Sequence, residues 1–476
     1  MRPGRAPGHE ENERHDFKTT TGDLKLTETF DVVAIGAGPG GHALAEHAAR
    51  CGARAAIVER NLWGGTCTHR GCIPTKALLA CSRQYAGLKK LKRLGIPAGQ
   101  PAFDFSAMKR HQRQMVKISA LGVEKSLRDA GVTLISGAGT IRSAREIHWT
   151  DGDGNRHALQ ARHAVIAWGS APLLPPGIEP SRRILTSDGF LERDTLPDSV
   201  LIVGGSVIGV EFATLLAELG VEVTLIEMMG QILPLEDEEA SALLHQELAR
   251  LGITIHTSAR LQTIHEAEDN VRIVAAGQGG DLTLTAACAL ICAGRKPRLD
   301  TGELDRLGIR HSPDGIPTDA KGMTNVPGIY AVGDVTGGIM LAHRAMQQGK
   351  ALASSLFGDG AVIYREAAVP SVVYSHPQVA RVGMTEKEAR RQGLDIEVCR
   401  SDYAANIIAR TELTGPGFVK MLFHRDHLVG ATILGDGAAE MIPAMSLAIA
   451  GGLGKKDFQK WIIPHPTLSE VMAVVK

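Results

Sequence analysis

Two stretches of the chain share one pattern of apolar and polar positions. Each begins with a short apolar run, at residues 31–35 and 200–203, that ends in a cluster of glycines. A helix-like run follows, and then a second apolar run that ends in an acidic residue, Glu59 in the first copy and Glu227 in the second. The pattern predicts two strand-turn-helix-strand units. Because the spacing from the first glycine to the acidic residue is the same in both, we interpret them as an internal repeat.

The glycines and the acidic residue of each copy suit a dinucleotide. Glycine lets the backbone turn sharply and lets a pyrophosphate approach, and the following helix directs free N–H groups at the phosphates. The acidic residue can accept hydrogen bonds from ribose hydroxyls. Glycines that only tighten the turns would be the simpler interpretation, but a repeated motif with identical spacing favours two dinucleotide sites. Their predicted residues are Gly36, Gly38, Gly40, Gly41 and Glu59 in the first, and Gly204, Gly205, Gly209 and Glu227 in the second.

The second copy differs from the usual fingerprint at one position. Ser206 stands where the motif has its second glycine, so a side chain narrows the approach to the pyrophosphate. Met228 and Met229 follow Glu227, and no arginine near them offers a partner to a 2′-phosphate. The second site is therefore predicted to favour NAD over NADP.

The later part of the chain predicts further elements. A strand at residues 286–292 precedes a boundary near Gly294, and a strand at residues 329–333 ends in Asp334. From about residue 369 the pattern changes to strand-like runs at 419–423 and 428–434 and an apolar helix around 441–450. This segment is predicted to be a separate α+β domain.

Composition narrows the class of protein. A chain of 476 residues is expected to form two to four domains. Its 52 basic and 52 acidic residues give no net charge, which argues against nucleic acid and anionic membrane as partners. The polar residues 1–29 are predicted to be a disordered extension, and the apolar window at 200–220 reads as strand, turn and helix rather than a membrane span. Seven cysteines without a disulfide framework indicate a reducing, cytoplasmic location.

Two cysteines, Cys67 and Cys72, lie close together just after the first dinucleotide motif. A thiol pair beside a flavin or nicotinamide site can pass electrons between a dithiol and a hydride carrier. The alternative is a zinc site with His69 as a third ligand, but no second Cys/His cluster completes four ligands. No metal is therefore predicted. The other five cysteines are expected to pack as small apolar residues.

Three groups of residues carry a resemblance to a known family. They are the segment from Gly64 through Cys67 and Cys72 to Lys76, the segment from Gly333-Asp334 to His343, and the sequence His465-Pro-Thr-Leu-Ser-Glu470. The chain from about residue 30 to its end resembles the class I pyridine nucleotide-disulfide oxidoreductases, most closely the dihydrolipoamide dehydrogenases.

The resemblance implies an α/β fold with two Rossmann-like dinucleotide-binding domains, for FAD and NAD, and a C-terminal α+β dimerisation domain. The expected domains are an FAD domain at 30–172, an NAD domain at 173–293, a central domain completing the FAD site at 294–364 and an interface domain at 365–476. It also implies a homodimer, because the C-terminal His-Glu pair serves the cysteines of the other subunit.

The resemblance assigns roles to individual residues. Cys67 is the interchange thiol, Cys72 faces the flavin, His465 is the base, and Glu470 orients it. Lys76 and Glu211 form an ion pair near the flavin, and Asp334 binds the ribityl chain. The other positions that it assigns to cofactor binding are Gly65, Thr66, Gly139, Gly294 and Ala342.

The implied activity is oxidation of protein-bound dihydrolipoamide with reduction of NAD, the substrate being carried on the lipoyl domain of a 2-oxo acid dehydrogenase complex. The alternative is a related NAD(P)H-dependent disulfide or mercuric reductase. Four positions depart from the lipoamide pattern: His69 between the cysteines, Trp168 in the turn after the first domain's last strand, and Ile463-Pro464 before His465.

Overall fold

The computed structural model describes residues 28–97, 99 and 101–475. The extension predicted at residues 1–29 lies outside them except for its last two positions, and Thr29 already begins the first strand. Every strand and helix predicted from the pattern of apolar runs is present, including both strands of each repeat copy and the apolar helix near the C-terminal end.

The first repeat copy forms the centre of a seven-stranded sheet. Its order is β3-β2-β1-β6-β5-β4, with β17 beside β6, and the strands β3, β2, β1, β6 and β17 run parallel. The strands are β1 (Thr29–Ile35), β2 (Ala55–Glu59), β3 (Thr133–Ser136), β4 (Ala138–Ser143), β5 (Glu146–Thr150), β6 (Arg156–Ile166) and β17 (Ile329–Ala331). The helices around it are α1 (Pro39–Arg50), α2 (Gly65–Arg70), α3 (Cys72–Leu91), α4 (Phe105–Asp129), α8 (Thr301–Leu307) and α9 (Ala342–Phe357). Strand β17 joins this sheet from the segment predicted as a central domain.

The second repeat copy forms a five-stranded parallel sheet of order β11-β10-β9-β15-β8. Its strands are β8 (Ile184–Thr186), β9 (Ser199–Val203), β10 (Glu222–Ile226), β11 (Thr254–His256) and β15 (Cys288–Ile291), and its helices are α5 (Ser187–Glu192), α6 (Val207–Glu218) and α7 (Glu238–Arg250). An antiparallel sheet covers it, formed by β12 (Arg260–Glu266), β13 (Val271–Gly277) and β14 (Gly280–Ala286). The two repeat units are joined by an antiparallel pair, β7 (Ser170–Pro172) and β16 (Arg295–Pro297).

The C-terminal segment forms an antiparallel sheet of order β18-β19-β22-β21-β20. Its strands are β18 (Ser371–Val373), β19 (Val379–Gly383), β20 (Glu397–Asp402), β21 (Phe418–His424) and β22 (His427–Leu434), and its helices are α10 (Glu386–Arg391), α11 (Ile407–Thr411), α12 (Ala438–Gly451) and α13 (Lys455–Phe458). Five 3₁₀ helices lie at Lys92–Leu94, Gly333–Thr336, Glu366–Ala368, Tyr403–Ala405 and Leu468–Met472 within the described residues. The predicted α+β fold of this segment is thus present, as a sheet whose central strands β21 and β22 are almost continuously buried, with α12 against it.

Candidate active site

The first glycine of each repeat copy has the same geometry. Gly36 and Gly204 have φ values of +111° and +110°, in the region that favours glycine. A Cβ on Gly36 would lie 2.3 Å from the carbonyl oxygen of Ala167, and one on Gly204 would lie 2.3 Å from that of Cys292. Both positions therefore require glycine for the turn itself, so the simpler interpretation, that these glycines tighten the turns, holds for them.

The residue directly before each helix has more open surroundings. Gly38 precedes α1 with φ −64°, and a Cβ built there would meet nothing within 4 Å. No side chain caps the start of α1, so its free N–H groups face open space. Ser206 has the equivalent position before α6, with the same extended backbone at φ −79°. Its hydroxyl is 3.4 Å from the carbonyl oxygen of Cys292 and does not cap α6.

The two acidic residues of the repeat are buried and bonded alike. The carboxylate of Glu59 accepts N–H bonds from Ala37 at 2.7 Å and from Asn61 at 2.8 Å. The carboxylate of Glu227 accepts them from Gly205 at 2.6 Å and from Met229 at 2.7 Å. Each carboxylate oxygen keeps a second lone pair, so both residues can still accept a hydroxyl.

The cysteine pair lies where two helices meet. Cys67 is within α2, Cys72 begins α3, and Gly71 separates them with φ −145° and ψ −106°, which is neither helical nor extended. Gly64 before α2 has φ +96°, and a Cβ there would lie 2.3 Å from the hydroxyl of Thr68. Glycines on both sides of the six-residue helix α2 thus let the chain turn back, so that the two sulfurs come within hydrogen-bonding distance.

The two thiols differ in acidity because they interact. Cys67 donates a hydrogen bond to Cys72, which, with burial, raises the pKa of Cys67 far above its ordinary value. The same bond lowers the pKa of Cys72 to about 7, against the effect of burial and with help from the charge of Lys76. Cys72 is therefore the sulfur that carries a thiolate near neutral pH.

The predicted ion pair is present beside Cys72. The ammonium of Lys76 donates to both oxygens of Glu211, at 2.9 and 2.8 Å, and lies 4.8 Å from the ring centre of Tyr374. Glu211 also accepts the backbone N–H of Tyr374 at 3.1 Å. Burial opposes the charge of Lys76, but Glu211 outweighs it and raises the pKa of the lysine. Lys76 therefore stays charged, and its ammonium favours the thiolate of Cys72 while the carboxylate of Glu211 opposes it.

A single cavity of about 1130 Å³ brings most of the predicted site together. Cavities for drug-sized ligands are typically about 300–1,000 Å³, so this one has room for a dinucleotide. Among predicted residues it is lined by Gly36, Gly38, Gly40, Glu59, Gly65, Thr66, Cys67, Cys72, Lys76, Gly139, Glu211, Asp334 and Ala342. It is not lined by Gly41, Gly204, Gly205, Gly209, Glu227, Gly294, His465 and Glu470. The cavity reaches α6 only at its first residues and at Glu211 and Phe212.

Gly41 and Gly209 serve packing rather than the cavity surface. A Cβ on Gly41 would lie 2.0 Å from the carbonyl oxygen of Gly36, and one on Gly209 would lie 1.9 Å from that of Gly204. Each glycine thus lets a helix approach the strand before it, which is the third role of glycine in this motif.

Asp334 has a partner that the sequence did not indicate. The hydroxyl of Ser170 donates to its carboxylate at 2.5 Å, and Arg295 donates to that same hydroxyl at 2.8 Å and to the Ser170 carbonyl oxygen at 3.1 Å. Ser170 and Arg295 are on β7 and β16, which pair with each other. The strand pair that joins the two repeat units thereby positions Asp334 at the cavity.

The C-terminal histidine is bonded to Glu470 as predicted, away from the cysteines of the same chain. Nδ1 of His465 is 2.8 Å from Oε1 of Glu470, and Oε2 accepts the N–H of Thr467 at 3.0 Å. That N–H and the histidine lower the pKa of Glu470. The His465 side chain is 76% exposed, and its Nε2 is free of the bond to Glu470.

A second buried carboxylate on α6 was missed from the sequence. Glu218 accepts the hydroxyl of Ser82 on α3 at 2.5 Å and bonds Nδ1 of His376. The His376 side chain is only 21% exposed, and its bond to Glu218 anchors the segment after β18. Of the four departures from the lipoamide pattern, His69 bonds the carbonyl oxygen of Trp63 at 2.8 Å, and both it and Trp168 line the cavity.

Two family models match the chain. "Pyridine nucleotide-disulphide oxidoreductase" matches residues 30–349, and the dimerisation domain of the same family matches residues 369–475. The chain belongs to the pyridine nucleotide-disulphide oxidoreductases. The family and the fold class predicted from the motifs are therefore confirmed.

Similar proteins support this membership along almost the whole chain. Proteins named dihydrolipoyl dehydrogenase, from Chlorobaculum tepidum and Geobacillus stearothermophilus, are 35% and 34% identical and cover 94% of this chain and 96% of their own. The crystal structure of LpdA from Mycobacterium tuberculosis has a TM-score of 0.87 at 25% identity, covering 94% and 98%. The Cu(II) complex of the HOCl-induced flavoprotein disulfide reductase RclA from Escherichia coli has a TM-score of 0.82 at 27% identity, covering 94% and 99%.

Two features are absent from the described residues. In the described part of the chain, no three His, Cys, Asp or Glu side chains lie in a group that could hold a metal ion. No helix among the described residues is long and apolar enough to cross a membrane. The domain boundaries, the individual site roles and the cytoplasmic location stay predictions.

Proposed function

We propose that this protein is a flavoenzyme that oxidises dihydrolipoyl groups and reduces NAD, with Cys67 and Cys72 as its redox disulfide. The observation that carries the proposal is the polarised cysteine pair, with Cys72 at a pKa of about 7, in the wall of a cavity that also contains the first dinucleotide fingerprint. Full-length similarity to proteins named dihydrolipoyl dehydrogenase gives the substrate class.

The first site fits FAD. The open space at Gly38, the uncapped start of α1 and the buried carboxylate of Glu59 provide for a diphosphate and a ribose, in a cavity that extends to Cys72 and Lys76. Asp334, held by Ser170, provides an acceptor for the ribityl hydroxyls. FAD would supply the two-electron acceptor that restores the disulfide and hands a hydride to NAD.

The second site fits NAD. The start of α6 has no side-chain cap, and Glu227 is held beside it by the N–H of Gly205. Ser206 brings a hydroxyl to the place where the first site has only Gly38, so the pyrophosphate meets a side chain that can also donate to it. The carboxylate of Glu227 would repel a 2′-phosphate, which favours NAD over NADP.

The cysteines would react in two exchange steps. A substrate thiolate attacks the sulfur of Cys67, the Cys67–Cys72 bond breaks, and Cys72 leaves as a thiolate. The second substrate thiolate then attacks the substrate sulfur of the mixed disulfide, which forms the substrate disulfide and releases Cys67. Both substrate protons have then been removed and two electrons have passed to the cysteine pair. The low pKa of Cys72 makes it the better leaving group.

His465 and Glu470 of a second copy of the chain would remove those protons. The bond from Nδ1–H of His465 to Glu470 fixes the tautomer that leaves Nε2 as a base. In one chain this nitrogen is exposed and outside the cavity that contains Cys67, so the pair needs a second subunit to reach a cysteine. The dimerisation domain matched at residues 369–475 supports a homodimer.

The natural dithiol is proposed to be a lipoyl group on the lipoyl domain of a 2-oxo acid dehydrogenase complex. Anaerobic stopped-flow absorbance with dihydrolipoamide, then NAD, tests the activity. We expect flavin reduction followed by NADH formation, and loss of both in Cys67→Ser and Cys72→Ser. Cys81→Ser is the matched control, because Cys81 is on the same helix as Cys72 but outside the cavity. Retained turnover in either active-site variant, or flavin that only NADH reduces, would contradict the proposal.

A further inference from the structure

Three arginines line the cavity without having been assigned a role. Arg60 directly follows β2, Arg70 ends α2, and Arg298 directly follows β16. They come from three distant parts of the chain, and all three line the cavity that contains Gly38 and Gly40.

The charges of Arg60 and Arg70 act on Arg298. Burial lowers the pKa of Arg298, and the positive charges of Arg60, Arg295 and Arg70 lower it further, while Asp188 opposes them with an effect larger than that of Arg70. Across residues 28–97, 99 and 101–475, the side chains of Arg60, Arg70 and Arg298 have neither a hydrogen bond nor an ion pair.

Three carboxylates on neighbouring segments are bonded to groups other than these arginines. Glu59 accepts two backbone N–H groups, Asp334 accepts the hydroxyl of Ser170, and Asp300 accepts the N–H of Glu303. Three guanidinium groups in the wall of one cavity repel one another, weakly where Arg60 and Arg70 are exposed to solvent, and a bound anion would offset that repulsion. The arrangement is therefore complementary to a ligand with more than one negative charge.

Helix α2, which carries Arg70, begins next to the glycine loop that contains Gly38. Gly65 at the start of α2 packs against this loop so closely that a Cβ on it would lie 2.8 Å from Cα of Gly38. Thr66 and Arg70 are four residues apart on α2 and so share a face, and both line the cavity. The backbone N–H of Arg298 donates to the carbonyl oxygen of Gly169 at 3.0 Å, and this bond fixes the backbone position of Arg298 at the cavity.

We propose that Arg60, Arg70 and Arg298, which line the same cavity as the start of α1, bind the diphosphate of FAD together with the N–H groups of that helix. A guanidinium presents a planar pair of donors that matches a phosphate oxygen pair, and such charge-assisted bonds are about twice as strong as neutral ones. Neutralising the diphosphate also relieves the repulsion among the three arginines. The inference rests on the proposed function, because it takes FAD as the ligand of the first site.

FAD binding to the apoprotein tests this assignment. Isothermal titration calorimetry would compare the wild-type protein with Arg70→Gln, Arg298→Gln and the double variant at several salt concentrations. Each single variant should bind FAD about tenfold more weakly, and the double variant about 100-fold more weakly at low ionic strength. The difference should shrink at about 0.5 M salt, since the lost contacts are partly exposed and screened. Arg391→Gln, an exposed arginine on α10, should leave the affinity unchanged.

A thermal melt of each apoprotein separates ligand binding from folding. Without FAD, the double variant should melt at the wild-type temperature or above it, because removing two like charges relieves repulsion. FAD should raise its melting temperature less than that of the wild type.

Three results would overturn the assignment. They are FAD affinity within about threefold of the wild type at low salt, an affinity loss that salt does not change, or a loss confined to NADH binding with FAD affinity intact. In the last case the arginines would hold another anion. A wild-type protein that binds no FAD would instead overturn the proposed function, so the two failures are distinguishable.

Discussion

The acidity of Cys72 depends, in this structure, mainly on one hydrogen bond from Cys67. Cys67→Ala removes the donor while the burial that disfavours the thiolate remains, and Lys76 opposes it only in part. We expect the pKa of Cys72 to rise from about 7 to the ordinary cysteine value of about 8.5 or above. At pH 7 the thiolate fraction would then fall from about one half to about 3%.

The thiolate can be followed by its ultraviolet absorbance during an anaerobic pH titration of the reduced apoprotein. Subtracting the titration of a Cys72→Ser variant removes the contribution of the cysteines outside the pair. Cys67→Ser is the matched control, because its hydroxyl still donates a hydrogen bond, so its titration should shift less than that of Cys67→Ala. Lys76→Met should also shift the titration upwards, but less than Cys67→Ala.

The order of these effects is what the experiment decides. If Cys67→Ala titrates like the wild type and Lys76→Met shows the large rise, the lysine charge sets the acidity and the hydrogen bond does not. If neither variant moves the titration, Cys72 is not the thiolate, and its proposed part as the leaving group is wrong.

Three further predictions follow from contacts in the site. Lys76→Met leaves the buried carboxylate of Glu211 with only a backbone partner, so chemical denaturation should show a free energy of unfolding that is lower by about 1–3 kcal/mol. This loss is below the usual range for fully buried pairs because the lysine is one-third exposed. An unchanged denaturation midpoint would contradict the prediction. Gly36→Ala should lower the melting temperature of the apoprotein, whereas Gly38→Ala should fold normally and lose FAD affinity, and equal melting would refute the geometry. His465→Gln should slow dithiol oxidation about 10²–10⁴-fold in stopped flow while NADH still reduces the flavin.

Local pattern was enough to predict the features that depend on neighbouring residues. The positive φ of Gly36 and Gly204, the strands on either side and the helices that follow are all properties of short segments, and the sequence carries them directly. The bond between His465 and Glu470 spans only five residues, and that pair was assigned from the family resemblance. The pair of Lys76 and Glu211 also came from the resemblance, and local pattern could not have given it, since 135 residues separate the two.

The contacts that were not predicted join segments that are far apart in the sequence. The side chains that form them belong to no recognisable local motif. Ser170 and Asp334 are 164 residues apart, and nothing near either one marks it as a partner of the other. The approach of Arg60, Arg70 and Arg298 depends on how β2, α2 and β16 meet at the cavity. Hydropathy patterns report which face of an element is buried, not which element lies opposite it, so such contacts appear only in three dimensions.

Helix α6 carries two buried carboxylates, and both hold the helix that begins with Cys72. Glu211 and Glu218 are seven residues apart and so lie on one face of α6. Glu211 binds Lys76 on α3, and Glu218 binds Ser82 further along the same helix. Each also bonds the C-terminal segment, through the N–H of Tyr374 and through the ring of His376.

This double contact fixes the register between α3 and α6. A buried carboxylate without a partner is strongly unfavourable, so a displacement of one helix along the other would leave both charges unsatisfied at once. Apolar packing alone would tolerate small shifts much better. Because Cys72 is at the start of α3 and the second nucleotide motif is at the start of α6, the two carboxylates hold the sulfur at a defined distance from the place where the NAD site is proposed. The proposed transfer of electrons from Cys72 towards NAD would need that distance to stay constant, which is a reason to bury two charges despite the cost.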